Sequence, residues 1–119
     1  MTNISQLLES WIESGNQFDT QSYVNYFDDN AIIDEKAVGT KIKGKPAIAE
    51  YFETYFIGYK TQTAITNLTV EDTTHASIEV HFKGEFPQKE LDGWFNLTFN
   101  DMGDKIIFAE TGFIERVIG

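Results

Sequence analysis

The sequence predicts an α+β fold, with about three helices in the N-terminal and central parts of the chain packed on a strongly curved antiparallel sheet. Up to about residue 58, apolar residues recur mostly at helical spacing, with one short alternating stretch. After residue 59 they alternate as in strands. The 119 residues contain no internal repeat or interdomain linker. We therefore expect one domain over residues 1–119.

Three segments have helical periodicity. The first ends near Gly15, and Asp19 or Thr20 can cap a second, shorter helix. Gly44-Lys45-Pro46 begins the third helix, which ends at Gly58. The apolar stripe of the first helix comprises Ile4, Leu7, Leu8, Trp11 and Ile12, and the inner face of the third comprises Ile48, Tyr51, Phe52, Tyr55 and Phe56. For the second helix, Tyr23, Val24, Tyr26 and Phe27 are predicted to point inward before residues 28–30 break the pattern.

Alternation of period two predicts the strands. A short hairpin over residues 31–43 is expected to turn near residues 38–40, followed by strands over about 64–70, 76–86, 91–99 and 105–118. In the first of these later strands, one face is predicted to comprise Ala64, Thr66, Leu68 and Val70. Glycines inside strands favour bulges and bends, and we expect bending at Gly84, Gly93 and Gly112.

Composition excludes several partners and locations. A net charge of −10 opposes binding to phosphate backbones, so we expect no nucleic-acid partner. The chain has no cysteine, which suits a reducing compartment, and we expect a cytoplasmic protein. No apolar run approaches the roughly 20 residues that cross a bilayer, so we expect no membrane association.

The segment Tyr26–Glu35, with an aromatic pair followed by Asp28, Asp29, Asn30 and Ala31, precedes the glycine-led stretch 44–48 and the aromatic pair Tyr51-Phe52. With the order of elements, it resembles the nuclear transport factor 2-like superfamily, particularly its SnoaL-like and ketosteroid isomerase-like members. The resemblance implies a cone that opens between the helices and the concave sheet, and a homodimer formed through the outer sheet face. Trp94 on the polar side of its strand fits such an interface. The resemblance implies no cofactor and no metal.

The resemblance also implies site residues. Glu35 falls where ketosteroid isomerases carry their general-base aspartate, while Asp34 points to the opposite strand face and is the substitute if the register differs by one residue. Trp11 takes the place of the tyrosine that donates to the oxyanion, and Phe95 takes that of the second acid. An incomplete oxyanion hole argues against steroid isomerisation.

Eight aromatic residues are candidates to line the pocket, with core packing as the alternative: Trp11, Tyr26, Tyr51, Phe52, Tyr55, Phe82, Phe95 and Phe108. His75 and His81 are assigned to the surface or a dimer interface, and Glu79 with His81 lacks a third metal ligand.

The sequence favours a protein that binds a small apolar or aromatic molecule, with isomerase, cyclase or dehydratase activity if Glu35 serves as base. The alternative is a noncatalytic dimerisation or protein-interaction module of the same fold. A pocket of roughly 300 Å³ or more with Glu35 at its wall favours the first interpretation, and a cone filled by its own side chains favours the second.

Overall fold

A computed structural model describes residues 3–114. Three helices and a π-helical turn pack on one face of a six-stranded sheet. The helices are α1 (Ile4–Asn16), α2 (Thr20–Asn25) and α3 (Lys45–Phe52), and the π-helical turn Glu53–Ile57 continues α3. None of the helices in the described range is long and apolar enough to cross a membrane.

The sheet has the order β2-β1-β6-β5-β4-β3. Its strands are β1 (Phe27–Glu35), β2 (Thr40–Lys43), β3 (Gln62–Val70), β4 (His75–Lys83), β5 (Glu90–Phe99) and β6 (Ile106–Phe113). All neighbouring strands are antiparallel except β1 and β6, which are parallel. The predicted α+β fold with a curved, mostly antiparallel sheet is confirmed.

Local chemistry explains where the helices begin. The side chains of Asn3 and Asp19 cap α1 and α2 by accepting hydrogen bonds from backbone N–H groups three residues on. Gly44 precedes α3 with a φ of 85°, which favours glycine, and Pro46 occupies the first turn. The prediction is wrong at the end of α2, because the chain turns at Tyr26 and β1 already begins at Phe27.

The third helix changes pitch within its predicted length. Regular α-helix ends at Phe52, and the π-helical turn carries Tyr55 and Phe56. Such turns are rare in proteins, and those that occur are often found at functional sites. Here the turn places aromatic side chains beside the concave face of the sheet.

Strand faces follow the predicted alternation in β4 and β5, where Ile78, Val80 and Phe95 are buried. The predicted face of β3 is wrong at Ala64 and Thr66, but it holds at Leu68 and Val70, which pair with the buried Ile78 and Ala76. Thr63 is buried and Ala64 is exposed, and a bulge between Ile65 and Asn67 then reverses the alternation. In β6 the described strand ends at residue 113, and the predicted continuation over residues 115–118 lies outside the described range.

The bulges do not fall at the three glycines where bending is predicted, and Gly84 lies just after β4, which ends at Lys83 rather than at residue 86. The bulges lie between Phe27 and Ile32, between Ile65 and Asn67, and between Thr98 and Phe99. The glycines instead allow aromatic rings to approach the backbone: Gly84 contacts Phe86, Gly93 contacts Phe82, and Gly112 contacts Trp94.

Most of the core lies between α1, α2, α3 and the concave sheet face. Trp11, Phe27 and Phe52 are fully buried at its centre. Trp11 packs edge-on against Phe27 and Phe95 with ring-centroid distances of 5.8 and 5.4 Å, and Phe52 stacks on Tyr23 at 4.1 Å. Beyond this packed end, the space between the helices and the sheet remains open.

Candidate functional site

A pocket of about 310 Å³ opens between the π-helical turn and the concave sheet face. Its wall is mostly apolar and aromatic. The lining residues come from the end of β1 and the β1–β2 turn, α3 and its π-helical continuation, the segment before β3, the β4–β5 loop, and β4, β5 and β6: Glu35, Ala37, Val38, Tyr51, Tyr55, Phe56, Tyr59, Thr61, Phe82, Phe86, Pro87, Gln88, Leu91, Phe95, Thr111, Gly112 and Phe113. Apolar clefts of this size with a few polar groups are typical small-molecule sites.

Glu35 is the charged residue of this wall and is only 8% exposed. Its Oε1 accepts a hydrogen bond from the Ala37 N–H at 3.0 Å, and its Oε2 accepts one from the Tyr51 hydroxyl at 2.9 Å. Each oxygen thus has one protein donor, and the remaining lone pairs are acceptors. The two bonds orient the carboxylate at the pocket wall.

The alternation of β1 determines which acidic residue enters the cone. Ala31, Ile33 and Glu35 are buried on the concave side. Asp34 belongs to the opposite face, where the Lys36 ammonium lies 3.1 Å from it and 3.5 Å from Glu110. Asp34 therefore does not replace Glu35 in the pocket.

Tyr51, which lies in α3, orients the Glu35 carboxylate through the hydrogen bond that its hydroxyl donates. Burial, and next the charge of Glu35, raises the pKa of Tyr51 well above its usual value. The phenol consequently stays protonated at neutral pH and remains a hydrogen-bond donor to the carboxylate.

Two threonines also line the pocket. The Thr111 hydroxyl donates to the Trp94 carbonyl at 2.8 Å, and the Thr61 hydroxyl donates to the Tyr55 carbonyl at 3.1 Å. Both hydroxyl protons are thus directed into the protein. The oxygens remain available as acceptors.

The predicted aromatic lining is divided among four places. Tyr51, Tyr55, Phe82 and Phe95 line the pocket together with Glu35. Trp11 and Phe52 lie instead in the packed core, so the prediction that they line the pocket is wrong.

The other two aromatic predictions are also wrong, Tyr26 because α2 ends before it and Phe108 because it lies on the other face of β6. Tyr26 follows α2 and borders a shallow polar groove along α1. Phe108 pairs with Thr98 and Ile32, on the convex face, whereas the neighbouring Ala109 is buried on the concave face.

Trp11 does not act as a donor to the pocket. Its indole Nε1 is buried without a hydrogen-bond partner among residues 3–114, and the Phe95 ring packs edge-on against it. Phe95, in the position of the second acid, offers no donor. No oxyanion hole is therefore formed by these two positions.

Sequence reasoning missed several lining residues, including Thr61, Thr111 and Phe113. Thr111 reaches the site because β6 pairs in parallel with β1 and places it opposite Glu35. Strand alternation carries no information about such pairing.

The histidines lie away from the pocket. His75 contacts Asp72 at a turn, and His81 lies between Asp92 and Glu90, at 2.8 and 3.0 Å. Hydrogen bonds that the imidazole donates to Asp92, and next to Glu90, raise the pKa of His81 above its usual value. Within residues 3–114, no three histidine, aspartate or glutamate side chains are grouped to hold a metal ion.

Comparison with known proteins identifies the class of fold. No family model matches the sequence, and no curated protein matches it either. Among solved structures, an NTF-2 like protein of unknown function from Burkholderia xenovorans LB400 has a TM-score of 0.81 at 14% identity, covering 98% of this chain and 86% of that one.

Two further structures share the fold. A candidate ketosteroid isomerase from Kribbella flavida has a TM-score of 0.83 at 14% identity and covers 98% of this chain and 81% of its own. A Mycobacterium tuberculosis protein in complex with estradiol-17beta-hemisuccinate has a TM-score of 0.77 at 18% identity and covers 93% and 92%. The chain therefore has the nuclear transport factor 2-like fold, and the resemblance in the sequence is confirmed at this level.

Gly93 keeps the pocket open, which leads to a prediction. A Cβ at this position would lie 2.6 Å from Cε2 of Phe82 and 3.1 Å from the Gly112 carbonyl oxygen. Gly93→Ala therefore pushes the Phe82 ring into the cavity. We expect the affinity for the neutral fluorescent probe N-phenyl-1-naphthylamine, measured by titration, to fall at least about tenfold, equivalent to about 1.4 kcal/mol.

Gly15→Ala is the matched control, because its Cβ would meet Tyr23 at 3.4 Å, an ordinary contact with a residue that does not line the pocket. We expect this variant to bind the probe as the wild type does. Equal affinity in the Gly93 variant would contradict the role assigned to Phe82.

Proposed function

We propose that this protein binds a small, largely apolar or aromatic molecule in the pocket, with Glu35 as the polar anchor. The main support for this proposal is an open apolar cavity of about 310 Å³ with a buried carboxylate in its wall. The cavity reaches the size expected of a ligand site and is not filled by the phenylalanines around it. This supports binding over a noncatalytic interaction module.

The physical basis for affinity is the burial of apolar surface. Rings of Phe56, Phe82 and Phe95 form the walls and floor, and their contact with a ligand contributes roughly 25 cal/mol per Å² of apolar surface removed from water. The structural neighbour in complex with a steroid hemisuccinate supports a cone that admits such molecules.

A second candidate function is proton abstraction, which the orientation of Glu35 favours. Its carboxylate is fixed by Ala37 and Tyr51 and faces an apolar cavity, as a general base requires. In such a step Glu35 takes a proton from a C–H or O–H of the substrate, and the electron pair moves into an adjacent π system or leaving group. This step is common to isomerase, cyclase and dehydratase reactions. The positions of Trp11 and Phe95 disfavour reactions that need a strong oxyanion hole.

The experiment uses 5-nitrobenzisoxazole, a small aromatic probe for a carboxylate base. Removal of its ring C–H proton by Glu35 breaks the N–O bond and yields a coloured phenolate, so saturation kinetics report binding and proton transfer separately. We expect Glu35→Gln to lower kcat about 100-fold or more, because a base is lost while the shape of the side chain is kept.

Asp34→Asn is the control, since Asp34 lies on the convex face with Lys36. It should leave both kinetic constants unchanged. If Glu35→Gln retains the wild-type kcat, Glu35 is not a base. If the wild type shows no saturation with this probe and no binding of N-phenyl-1-naphthylamine, the pocket is not a ligand site.

We also propose a cytoplasmic homodimer whose interface is the convex sheet face. Its support is the group of half-buried apolar side chains Ile32, Trp94 and Phe108 on that face, with the Trp94 indole lying over Gly112. The lack of cysteine supports a reducing compartment.

Trp94→Glu should weaken subunit association by placing a charge on this surface. We expect sedimentation velocity at micromolar concentration to show a dimer for the wild type and a monomer for the variant. Met102→Glu, at a residue that is 76% exposed in the β5–β6 turn, should remain dimeric. A monomeric wild type would reject the interface.

A further inference from the structure

We propose that the ligand of this pocket carries a protonated amine, which pairs with the Glu35 carboxylate while the rest of the molecule packs against the aromatic wall. The inference rests on the small-molecule site proposed above and specifies the chemistry of its ligand.

The charge of the pocket lining favours a cationic ligand. Among the described residues that line the pocket, Glu35 is the only aspartate, glutamate, lysine, arginine or histidine. Within residues 3–114, no lysine, arginine or histidine nitrogen forms an ion pair with it. Lys36, its neighbour in sequence, is engaged by Asp34 and Glu110 on the other face. A buried carboxylate without a cationic partner is costly, so a ligand that supplies a cation is favoured.

The polar groups of the pocket wall favour a ligand that donates hydrogen bonds. The hydroxyl protons of Tyr51, Thr61 and Thr111 are donated to Glu35 and to backbone carbonyls of the protein. These groups therefore present acceptor oxygens to the cavity. An ammonium group has three donors and no acceptor, which complements such a wall.

The aromatic rings of the pocket wall also favour a cation. Tyr51 hydrogen-bonds to Glu35, and its ring lies 5.4 Å from that of Tyr55 and 6.0 Å from that of Phe56. An ammonium at Glu35 therefore shares the pocket with these rings, and a part of the cation that lies over a ring face is attracted to it. Cation–π attraction is worth about 0.5–2 kcal/mol, depending on desolvation.

The same features disfavour acidic ligands. A carboxylate or phosphate entering the cone approaches Glu35 without a compensating cation from the described lining, and the chain as a whole carries a charge of −10. Like charges at short range in a poorly solvated site repel strongly.

The test compares three molecules that share an indole ring: tryptamine, which is cationic at pH 7, tryptophol, which is neutral, and indole-3-acetate, which is anionic. Isothermal titration calorimetry should give tryptamine an affinity at least about tenfold above that of tryptophol, equivalent to about 1.4 kcal/mol. Indole-3-acetate should be the weakest. This ranking is measured on the wild type and does not depend on any variant.

Variants then assign the preference to its residue. Glu35→Gln should bind tryptamine and tryptophol about equally, whereas Asp34→Asn should keep the wild-type ranking. A wild type that binds tryptophol as tightly as tryptamine overturns the amine proposal and leaves the small-molecule site intact. Failure of all three indoles and of N-phenyl-1-naphthylamine to bind overturns both.

Discussion

The parallel pairing of β1 with β6 is the interaction on which the rest of the structure depends. Two backbone hydrogen bonds of 2.8 Å fix its ends, from the Ile106 N–H to the Tyr26 carbonyl and from the Lys36 N–H to the Thr111 carbonyl. The pairing joins the N-terminal hairpin to the C-terminal strands and completes the six-stranded sheet. It also places Glu35 directly opposite Thr111, and both residues line the pocket.

Two packing features divide the space beneath the helices into a core and a cavity. At one end, Trp11 and Phe52 fill the interior with tightly packed rings. At the other end, the absence of a side chain at Gly93 lets the Phe82 ring lie against the sheet. The π-helical turn carries Tyr55 and Phe56 to the opposite wall. Backbone features therefore hold these rings at the boundary of the cavity, and the rings do not fill it.

Much of the fold could be predicted from the sequence, because the helical stripes and strand alternation report burial directly. The capping residue Asp19, the turn at Gly39 with a φ of 67° and the inner faces of β4 and β5 follow the predictions. The inner face of β3 could be predicted only in its second half, because a bulge between Ile65 and Asn67 shifts the alternation by one residue without a glycine to mark it.

The candidate site was less predictable for a related reason. The side on which Glu35 lies follows from alternation within one strand, but its partners Tyr51 and Thr111 come from elements whose position depends on tertiary pairing. Aromatic composition does not separate Phe95 at the pocket from Trp11 and Phe52 in the core. Phe108 was assigned to the wrong face, because a β6 that is apolar on both sides has no periodicity to orient it.

The Ala37 amide is the most direct reporter of contact between a ligand and the Glu35 carboxylate in the pocket wall. This N–H donates to Oε1 of Glu35 at 3.0 Å, so its chemical shift responds to any new partner of the carboxylate. In a titration of ¹⁵N-labelled protein with tryptamine, we expect saturable shifts at Ala37 and Gly112, with Asn67 and Ser77 of the convex face unchanged. Shifts confined to the convex face, or an Ala37 signal that does not move at saturation, would contradict the account.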